Sequence, residues 1–170
     1  MLDLFALLIL IAALGVLAAL CIIDLRSYLL PNRLVLTFAL LGIAFHACLQ
    51  FQLLDFTDMI IGACLGGGIL FIIRFVAMRF YGPNALGLGD VKLMAAAGLW
   101  LGPVAISTAL VAGALAGIMH GLFVGLRRQV KTGVRTDFTR LLIPAGPGFI
   151  AGIMIAAGFH FKHLPEILWP

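Results

Sequence analysis

The chain has 170 residues, 64% of them hydrophobic and only 11% charged. A soluble domain is about 45–50% apolar and about 25% charged, so this composition excludes an ordinary water-soluble fold and makes lipid the expected solvent. The net charge of +4 does not indicate nucleic acid, because the basic residues are spread over short loops, where membrane topology explains them.

A membrane-crossing helix needs roughly 20 apolar residues, and six segments are candidates. The first runs from about Leu4 to Ile23. It follows Met1 directly, has Asp3 in place of a basic leader, and lacks a small-residue cleavage site, so it reads as a retained span. The second covers about Leu34 to Leu49 and the third about Met59 to Ala77. The fourth, about Val91 to Leu101, is short and precedes Gly102–Pro103, a pair expected to turn the chain. A helix that short would begin inside the membrane boundary, in a cavity lined by protein. The fifth covers about Val104 to Leu126; the last starts between Leu141 and Pro147 and ends near Phe161. The expected fold is all-α: a polytopic membrane protein of about six transmembrane helices, forming a single domain over residues 1–170.

Lysine and arginine set the orientation. With the amino terminus outside, the inner loops hold Arg26, Arg33, Arg74, Arg79, Lys92, Arg127, Arg128, Lys131, Arg135 and Arg140, and only Lys162 lies outside. That asymmetry is a positive-inside pattern, and adding or removing one span would scatter it. Asp24 then sits at the inner end of the first helix and Asp90 at the inner start of the fourth. The two acids are distant in sequence but share one membrane face and a similar depth.

An aspartate at a helix centre in the membrane costs about 2.5–3.5 kcal/mol on insertion scales, so intramembrane acids are functional candidates. The plainer reading is that both end helices in headgroup-level water, with Asp90 as an N-cap. If they meet, they cannot both ionise cheaply, and the pair shares a proton. The ionised member can take a proton from water while the protonated member polarises a peptide carbonyl. Gly87 and Gly89, just before Asp90, allow close backbone approach and permit positive φ. Lys92 is read either as a partner for an anion or neighbour, or as an interface anchor.

These residues resemble a known family. The stretch GLGDVK, residues 87–92, resembles the Gly-x-Gly-Asp signature of intramembrane aspartic proteases. DLRSYLLPN, residues 24–32, resembles the first aspartate motif of type IV prepilin peptidases, and KLMAAAGLWLG and IPAGPGFIAG extend the likeness. The resemblance implies an aspartic endopeptidase of the inner membrane with Asp24 and Asp90 as its catalytic acids and no cofactor. Its substrate would be a prepilin or pseudopilin with an apolar amino-terminal helix, cut on the cytoplasmic side. Presenilin-type proteases share the Gly-x-Gly-Asp element but are longer and differ in the first motif. Many prepilin peptidases also carry an amino-terminal region with two Cys-x-x-Cys pairs and methylate the new amino terminus. Here the expectation is a minimal peptidase without structural zinc or N-methyltransferase activity.

Other features have structural readings. Pro31 and Asn32 shape the turn into the second helix. Gly66–Gly68 and the small residues from Gly113 to Gly117 suit close helix packing. Gly146 and Gly148 flank Pro147 at a broken or closely packed helix start. Residues 127–140 read as a polar inner loop that meets lipid headgroups. Cys21, Cys48 and Cys64 read as small buried hydrophobes. His120 hydrogen-bonds a neighbour, and His46, His160 and His163, nearer the outer ends, make no metal cluster with it. The competing function is a small proton-coupled transporter, although a relay would place acids at successive depths. Nothing in the sequence specifies an oligomeric state.

Overall fold

The computed structural model describes residues 2–81, 86–132 and 145–162, all arranged as helices and short turns. The helices are α1 (Leu2–Ser27), α2 (Asn32–Cys48), α3 (Phe56–Tyr81), α4 (Leu88–Thr132) and α5 (Gly146–His160). α4 packs against α2, α3 and α5, while α1 lies against α2 and α5.

α4 is kinked at the predicted Gly-Pro pair, where its helical conformation is interrupted. Gly102 has φ 67° and ψ −175°, with Pro103 immediately after it. Proline bars its predecessor from helical conformation, and glycine accepts the positive φ without a steric penalty. The result is one limb over residues 88–101 and a second over 103–132. The second limb continues through residues 127–132, which the sequence assigned to a loop. The rest of that assignment, including Arg135 and Arg140, lies outside the described residues.

Lipid supplies no hydrophobic force between helices, so contact must come from close packing. Small residues provide it. A Cβ on Gly98 would come 2.5 Å from the Ala63 nitrogen and closer still to Gly62. A Cβ on Gly67 would lie 2.8 Å from that of Ala95. Gly66 is equally tight against Met94, whereas Gly68 faces open space. The seam between α4 and α5 repeats the device, with Gly152 against the Gly113 backbone and Gly148 against that of Gly117.

The core at the bend is aromatic and hydrogen-bonded. Trp100 Nε1 donates to the Phe38 carbonyl at 2.8 Å, and its ring stacks on Phe38. The Trp100 carbonyl lies 3.1 Å from His46 Nε2. His46 is fully buried, and this pairing satisfies Nε2, while Nδ1 has no hydrogen-bond partner among the described residues. Large apolar side chains such as Leu4, Phe75, Val104 and Phe159 cover the outside, as a lipid-facing surface requires.

Two expectations change. Three helical stretches are long and apolar enough to cross a membrane among the described residues: Leu4–Ser27, Phe56–Phe80 and the bent Leu88–Arg127. The expected fourth and fifth spans are the two limbs either side of the non-helical Gly102 and together make up the last of these stretches, while α2 and α5 have only 17 and 15 residues. The cysteines also differ: Cys21 and Cys48 are half-buried and Cys64 is exposed. A small apolar thiol is compatible with a lipid-facing helix surface as well as with a core.

The α3–α4 seam makes a direct prediction. Gly98→Val should lower stability by about 1–3 kcal/mol through overpacking, read as a fall in thermal midpoint in detergent. Gly68→Ala, with open space at its Cβ, should leave the midpoint within about 0.5 kcal/mol of the wild type.

Candidate active site

One end of the bundle gathers the carboxyl end of α1 with the starts of α2, α4 and α5. α1 stops just past Asp24. Tyr28 takes φ 56°, a left-handed conformation unusual for a bulky residue, and its N–H donates to the Asp24 carbonyl at 2.9 Å. Pro31, at φ −62° and ψ 125°, then sets the entry to α2, whose first residue is Asn32. The Pro31–Asn32 turn is therefore where the sequence placed it.

The Asp24 side chain is only 5% exposed. Its Oδ2 accepts a hydrogen bond from the Gly146 N–H at 3.1 Å. Gly146 opens α5, so this N–H belongs to the set that a helix start leaves without intrahelical partners. The partial positive charge of that helix end suits a carboxylate. A Cβ on Gly146 would fall 2.8 Å from Asp24 Cγ, so the close approach requires glycine.

Asp90 lies in the first turn of α4, two residues beyond its start, and is not its N-cap. It is 6% exposed. The Asp24 and Asp90 side chains are near enough to interact electrostatically. Among the described residues, the Asp90 carboxylate has no hydrogen-bond partner, and its Oδ2 lies 2.9 Å from the position a Cβ on Gly87 would take. Gly89 is packed differently: a Cβ there would be 2.8 Å from that of Leu30. Neither glycine has positive φ, which among the described glycines is confined to Gly102. Of the two roles the sequence suggested, the structure uses the missing Cβ, which leaves space beside Asp90 and against the Asp24–Asn32 segment, and not a positive φ.

Lys92 joins the two motifs. Its Nζ donates to Asn32 Oδ1 at 2.9 Å, tying the start of α4 to the start of α2. Of the readings open in the sequence, this is the pairing with a neighbour.

Two contributors were not singled out as site residues. Gly146 was read only as packing, because nothing in its local sequence indicates that its N–H meets an acid at the end of α1. Arg74, on α3, donates to the Leu86 carbonyl and so holds the turn that leads into Gly87 and Asp90. A lone arginine in an apolar helix was a usable signal, since such a charge needs a partner. No group of three or more His, Cys, Asp or Glu side chains suited to a metal occurs among the described residues.

The arrangement places two buried carboxyls within electrostatic reach at one end of the bundle, one of them held by a backbone N–H. Such a pair suits general acid–base addition of water to a carbonyl.

Residues 9–122 match the model of the type IV leader peptidase family, a range that contains both aspartates. The chain is similar to prepilin leader peptidase/N-methyltransferases of known name. It is 34% identical over 142 residues to that of Escherichia coli K12, covering 82% of this chain and 58% of the relative. It is 33% identical over 150 residues to that of Pectobacterium carotovorum, covering 86% and 50%. The Aeromonas hydrophila protein is 36% identical over 131 residues, covering 77% and 44%. The chain thus spans about half the length of these curated relatives. No solved structure matches it.

The Lys92–Asn32 link is measurable by a double-mutant cycle. Asn32→Ala and Lys92→Met should each lower stability, and the pair should show a coupling of about 0.5–1.5 kcal/mol. Additive losses would mean that the hydrogen bond contributes nothing.

Proposed function

The chain belongs to the type IV leader peptidase family, and we propose that it is an intramembrane aspartic endopeptidase cutting the leader from prepilin-like or pseudopilin substrates. The observation that supports the proposal is that Asp24 and Asp90, from two distant motifs, are both buried at one end of the bundle within electrostatic reach of each other.

In the proposed reaction the pair holds one proton. The ionised member takes a proton from water as the protonated member hydrogen-bonds the scissile carbonyl. Water adds, and the amine leaves with a proton returned from the pair, as general acid–base catalysis requires. The Gly146 N–H fixes one Asp24 oxygen, leaving the other for the reacting groups. Gly87 keeps a gap beside Asp90 through which a substrate backbone approaches. Gly89, Pro31, Asn32 and Lys92 are positioning residues that hold the two acid-bearing segments together. The proposal concerns the peptidase activity in the relatives' two-part name.

The proposed setting is the cytoplasmic membrane, with the amino terminus outside and the two acids facing the cytoplasm. The positive-inside pattern of the sequence supports this orientation. α1, α2, α3, the two limbs of α4 and α5 would each cross, giving the six passages. Residues 1–170 act as one peptidase domain in this reading, and its partners are a substrate with an apolar helical stem and the surrounding lipid.

Cleavage of a prepilin-like substrate by purified protein in lipid tests the reading. Asp24→Asn and Asp90→Asn should each reduce turnover by about 10²–10⁴-fold without changing the thermal midpoint. Activity surviving either change would remove that residue from the pair, and solute flux without cleavage would favour a transporter.

The pH dependence should be bell-shaped. Activity falls at low pH, where both carboxyls are protonated and no base remains, and at high pH, where both are ionised and no acid remains. A rate rising monotonically with pH would contradict the shared proton. Gly146→Ala, which pushes a methyl group against Asp24, should cut turnover by at least about tenfold.

A further inference from the structure

A cavity of about 480 Å³ opens between the second limb of α4 and α5. Gly113, Gly117 and Gly121 form one wall, with Phe149 opposite and Leu86 and Ala145 at one end. We propose that this groove seats the apolar transmembrane stem of the peptidase substrate; the proposal rests on the functional reading above and assigns that reading a binding surface.

Continuity with the acids identifies the occupant. Leu86 is followed by Gly87, whose open α-carbon faces Asp90 Oδ2, and Ala145 by Gly146, whose N–H holds Asp24. The lining of the groove is therefore one residue along the chain from the glycine that contacts each carboxyl. One of these, on Asp90, is buried and has no hydrogen-bond partner among the described residues. A ligand lying in the groove would present its end to that unpaired group.

The shape of the wall indicates a helix. The three glycines recur every fourth residue and span roughly 12 Å of helix at 1.5 Å per residue. Close packing between helices in lipid requires small residues, because apolar area alone gives no preference for protein over lipid. Gly113 is already occupied, since a Cβ there would meet Phe149 at 2.8 Å. At Gly117 an added Cβ would find nothing within 4 Å. That position is open space beside backbone, a place where a neighbouring helix gains contact and a lipid chain gains no comparable fit.

Gly117→Leu fills the groove from a position where its Cβ meets no internal neighbour. The variant, with its thermal midpoint verified, is assayed in proteoliposomes on two substrates. One carries a basic leader joined to an apolar helical stem; the other is the same leader and cleavage site without the stem. The groove predicts a KM at least about tenfold higher for the stem-bearing substrate, with kcat/KM for the short peptide unchanged. Equal effects on both substrates, or on neither, would overturn it. A photo-crosslinker at Ile118 supplies a readout independent of cleavage and should yield an adduct with the stem. Adducts only with a second copy of this chain, or only with lipid, would overturn the proposal. If the wild type cleaves neither substrate, the peptidase reading fails by itself, and the crosslink still decides whether the groove holds the stem.

Discussion

Keeping two carboxyls out of water at one point of a helical bundle is the constraint around which the rest is arranged. A buried acid without partners is costly, and two side by side are more so. Asp24 receives one backbone donor, the Gly146 N–H at the start of α5. Asp90 receives none among the described residues. An ordinary structural site would satisfy both acids. In the proposed reaction this unequal provision lets the pair hold and pass a proton.

The bundle meets this constraint from its two ends. At the acid end, the Lys92–Asn32 hydrogen bond and the hold of Arg74 on the Leu86 carbonyl fix the segments that carry the acids. At the bend, Trp100 bonds α2 through Phe38 and meets His46 through its own carbonyl. α4 runs between the two, with glycine seams to α3 and α5. Those seams replace the hydrophobic drive that lipid cannot supply. The Gly102–Pro103 kink joins the acid-bearing limb to the limb that lines the groove.

Much of this was legible in the sequence, for identifiable reasons. Charged residues are rare in such a chain, so the Lys and Arg asymmetry points to one face for Asp24 and Asp90, and the structure has both at one end of the bundle. Gly102–Pro103 marked the bend because proline restricts its predecessor. The donor to Asp24 was hidden, since a backbone N–H has no sequence signature and the contact joins residues 122 positions apart. Gly62 and Gly98 were equally silent: an isolated glycine does not reveal which helix it will face. Gly87 and Gly89 were noticed both for the Cβ they lack and for conformational freedom, and only the first is used here. The number of crossing-length helices was less legible, because α2 and α5, at 17 and 15 residues, fall short of the roughly 20 apolar residues of a full crossing.

The central claim is that Asp24 and Asp90 act as one titrating unit. Infrared spectroscopy of the carboxyl stretch against pH, on the reconstituted protein and its single Asn variants, tests it most directly. For a coupled pair, replacing either acid changes the titration of the other. If each carboxyl titrates identically whether or not its neighbour is present, the two are independent, and the shared-proton mechanism is wrong.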